Sequence, residues 1–234
     1  MEASKPLTAE DFLEGQVLLI DKPLHWTSFQ VVNKLRWCLK KHFRLKKIKI
    51  GHAGTLDPLA TGLLILCTGK MTKQIEKFQA QEKSYTGRFL LGATTPSFDL
   101  ETAIDNTFDL SGITPQMVQA TVAQFTGTIQ QQPPLFSAIK KDGERLYEKA
   151  RRGEHAEIPS REVTLHQFEV DTSDFPEISF KVRCSKGTYI RSLAHDFGSA
   201  LHNGAHLTKL RRTAIGDFHV DDAQTVAAFE QQYG

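Results

Sequence analysis

The groups able to do covalent chemistry gather in one short stretch, Gly51-His52-Ala53-Gly54-Thr55-Leu56-Asp57-Pro58-Leu59-Ala60-Thr61-Gly62. Three glycines and a proline in twelve residues are incompatible with a regular helix or strand and predict a loop. Asp57 is its one carboxylate and His52 its one imidazole. Pro58 biases Asp57 towards an extended or turn backbone. A carboxylate held this way suits nucleophilic or glycosyl-type chemistry. The plain alternative is an Asx turn that happens to contain a histidine.

Two more groups stand out along the chain. Tyr85 lies in Glu82–Gly92, which alternates with period two, and is either an active-site ring or a strand tyrosine packed in the core. Arg191 follows the turn at Gly187, near the start of a helix, where a guanidinium can turn towards a loop carboxylate. His202 and His206 are four apart, but Asn203-Gly204 breaks the helix between them, so no metal site is expected. No phosphate-binding or dinucleotide-binding glycine pattern is present, and no cofactor is expected.

The elements that must position these groups read as follows. Thr8 and Asp11 frame a short capped turn, and Gln16–Ile20 is a strand that ends in a polar turn at Asp21-Lys22-Pro23. Phe29, Val32, Leu35 and Leu39 recur at helical spacing from Ser28 to about His42, with Trp26 and Trp37 read as packing in the core rather than stacking on bases. Leu63–Cys67 is a buried strand, and Gly69–Ala80 opens a helix. Ala93–Leu110 reads as a loop and edge strand. Thr114-Pro115 starts a helix to about Phe125. Strands are expected at 161–171, 177–184 and 205–213, and a last helix at about 222–232.

With 234 residues, 40% hydrophobic and 24% charged, the chain can bury a sizeable core as one large domain or two small ones. No apolar run approaches the ~20 residues of a membrane span. Met1–Pro6 has no apolar stretch of the kind a secretory signal carries. Cys38, Cys67 and Cys184 have no metal or disulfide spacing and read as buried thiols of a reducing compartment, the cytoplasm. Net charge is only +2, yet residues 1–80 hold 13 Lys and Arg against 7 Asp and Glu. Six of those bases fall in Lys40–Lys49, just before the reactive loop, where they form either a phosphate-contacting patch or a solvated helix face.

The Gly51–Gly62 string closely resembles the catalytic motif of the TruB-type tRNA pseudouridine synthases, in which the Asp is the catalytic carboxylate. The resemblance extends over about 12–220: Lys22-Pro23, Thr72-Lys73, Lys83-Ser84-Tyr85, the Gly92–Asp99 stretch, Cys184–Ala194 and Ala205–Thr213 all find counterparts. It implies the pseudouridine-synthase fold, an α+β (mixed α/β) architecture with a mostly antiparallel mixed sheet flanked by helices. A single catalytic domain over 1–234 is implied, with a thumb-like insertion at about 124–153 and no residues left for the C-terminal RNA-binding PUA domain of longer members. The activity implied is isomerisation of the T-loop uridine (position 55 of tRNA), with the base flipped out. Asp57 is then the catalytic carboxylate, Arg191 its partner, and Tyr85 the ring that stacks under the uracil. His52 is the wedge that fills the vacated place, and Leu210 an apolar wall. Lys22, Lys73 and Tyr189 are further substrate-binding residues, and Lys46, Lys47, Lys49, Arg151 and Arg152 contact the RNA backbone. The partner expected is the T-arm stem-loop of tRNA, met by a monomer away from any membrane. A non-catalytic RNA-binding or RNA-folding module, and a nucleoside hydrolase or base glycosylase that uses Asp57 but admits water, are the rival readings.

Overall fold

The computed structural model describes residues 6–141, 143–154 and 156–234, so the Met1–Lys5 part of the amino-terminal reading lies outside the described residues. In chain order the elements are α1 (Ala9–Glu14), β1 (Val17–Lys22), α2 (Ser28–His42), β2 (Ile50–His52), β3 (Ala60–Thr68), a 3-10 turn (Gly69–Gln74) and α3 (Ile75–Ala80). Then follow β4 (Lys83–Leu91), β5 (Ala93–Thr94), β6 (Asn106–Thr107), α4 (Pro115–Phe125), β7 (Gly127–Gln131), β8 (Lys140–Lys141), β9 (Glu144–Arg145) and α5 (Leu146–Arg151). The chain closes with β10 (Arg161–Asp171), β11 (Glu177–Cys184), α6 (Ile190–Ala200), β12 (Ala205–Ile215), β13 (Phe218–His219), β14 (Gln224–Thr225) and α7 (Val226–Tyr233). The fold is mixed α/β, with mostly antiparallel strands flanked by helices. No helix among the described residues is long and apolar enough to cross a membrane.

Two compact units result, one formed by the chain up to Lys83 together with Arg211–Gly234, the other by Ser84–Leu210. In the first, β3 pairs antiparallel with β1 in the register Val17↔Cys67 to Lys22↔Gly62, and β14 lies parallel to β1. The run Leu63–Cys67 is apolar at every position because both of its faces are covered. Leu64 and Leu66 join Val31, Val32, Leu35 and Leu39 of α2 and Phe229 and Tyr233 of α7 on one side. Leu63, Ile65 and Cys67 join Ile215 and Val220 on the other, with Ile75 and Phe78 against them. The capping expectation at Thr8 and Asp11 holds, with both halves of a capping box formed.

Several boundaries differ from the sequence reading. β1 runs on through Asp21 and Lys22, because its antiparallel partner extends to Gly62. The reactive stretch is loop only from Ala53 to Leu59: Gly51 and His52 belong to β2, and Ala60–Gly62 to β3. Phe29 is 64% exposed and Trp37 49% exposed, so neither is core; the buried stripe of α2 is Val31, Val32, Leu35, Cys38 and Leu39. α7 starts at Val226, where the hydroxyl of Thr225 caps it, four residues later than expected.

Gly62 shows why one glycine of the stretch is obligatory. Its φ is +104°, and a Cβ there would stand 2.2 Å from the carbonyl oxygen of Arg212 and 2.8 Å from its nitrogen. Gly62→Ala should therefore lower the unfolding free energy by roughly 2 kcal/mol or more, combining a disfavoured φ with a backbone clash. Chemical denaturation of the variant checks this; an unchanged midpoint would show that β3 can move aside at no cost.

In the second unit β10 pairs antiparallel with β11 and β7. Phe197 of α6 packs on Phe89, Phe125 and Phe168 with ring centroids 5.2, 5.4 and 5.7 Å away, and Phe180 completes the aromatic core. That core fixes α6, and with it the residues that open the helix.

Candidate active site

In the first unit, Asp57 sits half-buried in a loop pinned on both sides. The amide of Leu56 donates to Ser28 Oγ (2.9 Å), whose hydroxyl donates back to the Leu56 carbonyl (3.2 Å). The amide of His25 donates to the Pro58 carbonyl (2.8 Å), and that of Ala60 to the carbonyl of Asp57 itself (3.0 Å). Ser28 is buried at the first turn of α2, which Thr27 and Gln30 cap reciprocally. The backbone around Asp57 is thus held by main-chain and hydroxyl groups, whatever its own side chain does.

Two buried cations flank this loop. Lys22, fully buried, donates from Nζ to the carbonyls of Pro23 (2.9 Å) and Trp26 (2.6 Å). Burial lowers its pKa to about 8, a shift that the nearby Asp57 carboxylate opposes and the Arg212 guanidinium reinforces. Arg212, also buried, donates from Nε to Leu63 O (2.8 Å) and from Nη2 to Gly54 O (3.1 Å), tying the loop to β3. His52 ends β2 with Nδ1 buried and, among the described residues, without a hydrogen-bond partner. Burial and the charge of Arg212 lower its pKa, which favours the neutral ring. The first unit thus brings Asp57, His52 and Lys22 around Arg212, which the sequence places in the matched Ala205–Thr213 stretch without a role of its own.

In the second unit, Arg191 lies in the first turn of α6 and is almost completely buried. Its Nε stands 3.7 Å from Asp99 Oδ2, Nη1 donates to Ser97 O (3.1 Å) and Nη2 to Phe136 O (2.8 Å). Asp99 is buried as well, and its Oδ1 accepts from the amide of Glu101 (2.9 Å). One guanidinium therefore joins the 95–102 loop to the segment after β7. Tyr189 is the cap residue of α6 and has no capping hydroxyl; instead the buried Gln131 amide accepts from Tyr189 N (2.8 Å) and donates to Tyr189 O (3.1 Å). The ring of Tyr189 is covered by the Arg161 guanidinium at 4.7 Å. Phe98, at φ +63°, stacks on His195 of α6 with centroids 3.9 Å apart. Asp99 closes the Gly92–Asp99 stretch that matches the family, without a role assigned to it there; Gln131 carries no local signal and is recognisable only through Tyr189, 58 residues away.

The remaining expected residues are placed as follows. Tyr85 is buried on β4, and Leu210 is buried on β12. Lys73 is exposed on the 3-10 turn. Lys46, Lys47 and Lys49 are exposed, and none of them forms an ion pair among the described residues. Arg151 and Arg152 are engaged: Arg151 with Glu101 (2.8 Å), Arg152 with Glu144 (2.5 Å) and Glu154 (2.7 Å). His206, on β12, donates from Nδ1 to Ala93 O at 3.0 Å.

Residues 40–190 match the family of TruB pseudouridylate synthases in its N-terminal domain, and residues 191–234 match the C-terminal domain of tRNA pseudouridylate synthase B. The tRNA pseudouridine synthase B of Flavobacterium johnsoniae is 62% identical over 226 residues, 96% of this chain and 99% of that protein. That of Phocaeicola vulgatus is 52% identical, over 94% of each chain. Among solved structures, a chain in the crystal structure of a Cbf5-Nop10-Gar1 complex is 30% identical with a TM-score of 0.71; the match takes in 96% of this chain and 56% of that one. The family's two segments meet at Arg191 and relatives align over nearly the full length, so the chain belongs to the TruB family of pseudouridylate synthases.

Proposed function

We infer that this chain isomerises uridine to pseudouridine in tRNA. The observation that carries it is the Asp57 loop within a chain 62% identical to a tRNA pseudouridine synthase B over 226 residues. In that reaction the N1–C1′ bond breaks, the uracil turns, and C5 bonds to C1′; C5 gives up its proton and N1 gains one. The conversion is neutral in electrons and needs no external acceptor. Asp57 supplies the carboxylate that acts on the sugar or the base, and its pinned backbone is what such a group needs to meet a flipped nucleotide in one geometry. Tyr85 and Arg191 keep the roles the family resemblance implies, stacking under the uracil and partnering the carboxylate chemistry. A neutral His52 suits a wedge in the vacated base position.

The target we propose is the uridine of the T-loop, met by a single-domain monomer in the cytoplasm. The exposed bases of Lys40–Lys49 would take phosphates, and the 130–152 segment would cover the loop. Arg151 and Arg152 can join only by exchanging Glu101, Glu144 and Glu154 for phosphate, which exposed ion pairs allow at small cost. Tritium at uracil C5 of tRNA, followed by product analysis, tests the function: tritium release with pseudouridine supports it, free uracil would mean a glycosylase, and unchanged RNA a binding module. A T-arm hairpin should be modified with kcat/KM within about tenfold of full tRNA, a loss below ~1.4 kcal/mol. A hundredfold preference for full tRNA would place essential contacts outside the T-arm.

A further inference from the structure

α2 has one face in the core and one with no buried partner. On the open side Phe29 and Trp37 stand eight residues apart, just over two turns of helix, both substantially exposed. Two ammonium groups lie within reach of the Trp37 ring, Lys34 Nζ 4.8 Å and Lys41 Nζ 4.9 Å from its centroid. Lys34 is held there from the other side by Glu230 of α7. Lys40, Lys41, Arg44, Lys46, Lys47 and Lys49 form no ion pair among the described residues. Residues 22–56 contain nine Lys and Arg and no Asp or Glu.

An exposed indole costs hydration free energy and would ordinarily be buried. Here it is instead framed by cations, with no acidic residue on the segment that a basic partner could use. A sequence-tolerant π-face ringed by phosphate-binding charges is what an unstacked nucleotide requires. A partner protein would have to bring a dense acidic surface to match, whereas the substrate inferred above already carries one. We propose that the Trp37 face of α2 is a second RNA-contacting surface, on which a base of the bound tRNA stacks while Lys40, Lys41 and the following bases hold its neighbouring phosphates. This rests on the reading of tRNA as substrate, and it enlarges the phosphate-contacting run into a site with a stacking platform.

The chain has two tryptophans, and Trp26 packs partly buried against the first unit's core, so the difference between wild type and a Trp37 variant isolates the emission of Trp37. Titrating tRNA into the wild type and Trp37→Phe should show quenching in the wild type that is largely missing from the variant. Trp37→Ala should weaken the tRNA Kd roughly tenfold, Trp37→Phe less than about threefold, both with kcat unchanged. A Lys40→Ala/Lys41→Ala double variant should flatten the salt dependence of log Kd by about two units of slope. The proposal is overturned if tRNA at saturation leaves Trp37 emission unchanged, or if Trp37→Ala binds within a factor of two of wild type. It is equally overturned if sedimentation shows a dimer that Trp37→Ala dissolves, since the face would then belong to a second copy. Tritium release by the wild type decides the function separately, because no step of it passes through Trp37.

Discussion

Asp57→Asn is expected to abolish turnover, lowering tritium release from tRNA by roughly 10³-fold or more, about 4 kcal/mol of transition-state stabilisation. The substitution is nearly isosteric, and the backbone of the loop has main-chain and hydroxyl anchors of its own. Ser28 holds Leu56, the His25 amide holds Pro58, and the 57–60 turn closes through a main-chain carbonyl. The variant should therefore fold normally. Its tRNA affinity should stay within a few-fold of wild type, because phosphate contacts to Lys and Arg dominate binding and carry no share of the bond-breaking step. One local consequence follows from the electrostatics. Asp57 opposes the burial penalty on Lys22, so removing its charge should lower the Lys22 pKa below about 8. A variant that keeps a tenth or more of the wild-type rate would remove Asp57 from the chemistry. One that loses both rate and fold would mean the carboxylate braces the loop through Lys22.

What the sequence disclosed and what it concealed divides along physical lines. Local patterns were legible: the run Leu63–Cys67, the capping pair Thr8 and Asp11, the Pro start of α4, and the glycine-rich stretch around Asp57. Each depends on neighbours within a few residues, and so does the family motif built from them. The misplacement of Phe29 and Trp37 has a different origin. Phe29 lies at the edge of the apolar period of α2 and Trp37 lies off it; Val32, Leu35 and Leu39 of that period are buried, and the covered stripe extends on its other side to Val31 and Cys38, where β3 and α7 meet it. Periodicity gives the centre of a stripe and not how far to either side of it burial extends. Asp99 and Arg212 stand in matched stretches but gained no role there, and Gln131 and Ser28 gained none either, because their partners are distant in the chain. Arg212 reaches Gly54 across 158 positions and Asp99 meets Arg191 across 92, contacts that exist only once the strands have paired. Buried polar groups of this kind are fixed by the need for a partner, and the partner is a property of the fold.

Arg191→Lys should be almost as damaging as the loss of Asp57, by roughly 10²-fold or more in kcat/KM, and for reasons visible within its own unit. The guanidinium presents three edges at once: Nε towards Asp99, Nη1 to Ser97 O and Nη2 to Phe136 O. A lysine brings one compact charge on a flexible stem and cannot reproduce that fork. Two buried carbonyls and the buried Asp99 carboxylate would then compete for a single ammonium. Each unsatisfied carbonyl costs about 1–3 kcal/mol, and breaking a buried ion pair about 3–5 kcal/mol. The damage should appear in two places. Chemistry should slow, because the 95–102 loop loses the anchor that sets the position of Arg191 itself. The segment carrying Phe136 should also be released from α6, which should raise KM for tRNA beyond any change in kcat. Asp99→Asn separates the two effects, since it keeps both carbonyl bonds of the fork and removes only the charge beside Nε. It should lower kcat while leaving KM near wild type. Near-normal kinetics for Arg191→Lys would mean that the fork is a folding device of the second unit and that the reaction draws on some other cation. A KM that rises in both variants alike would place the role of Asp99 in holding the arm and not in orienting Arg191.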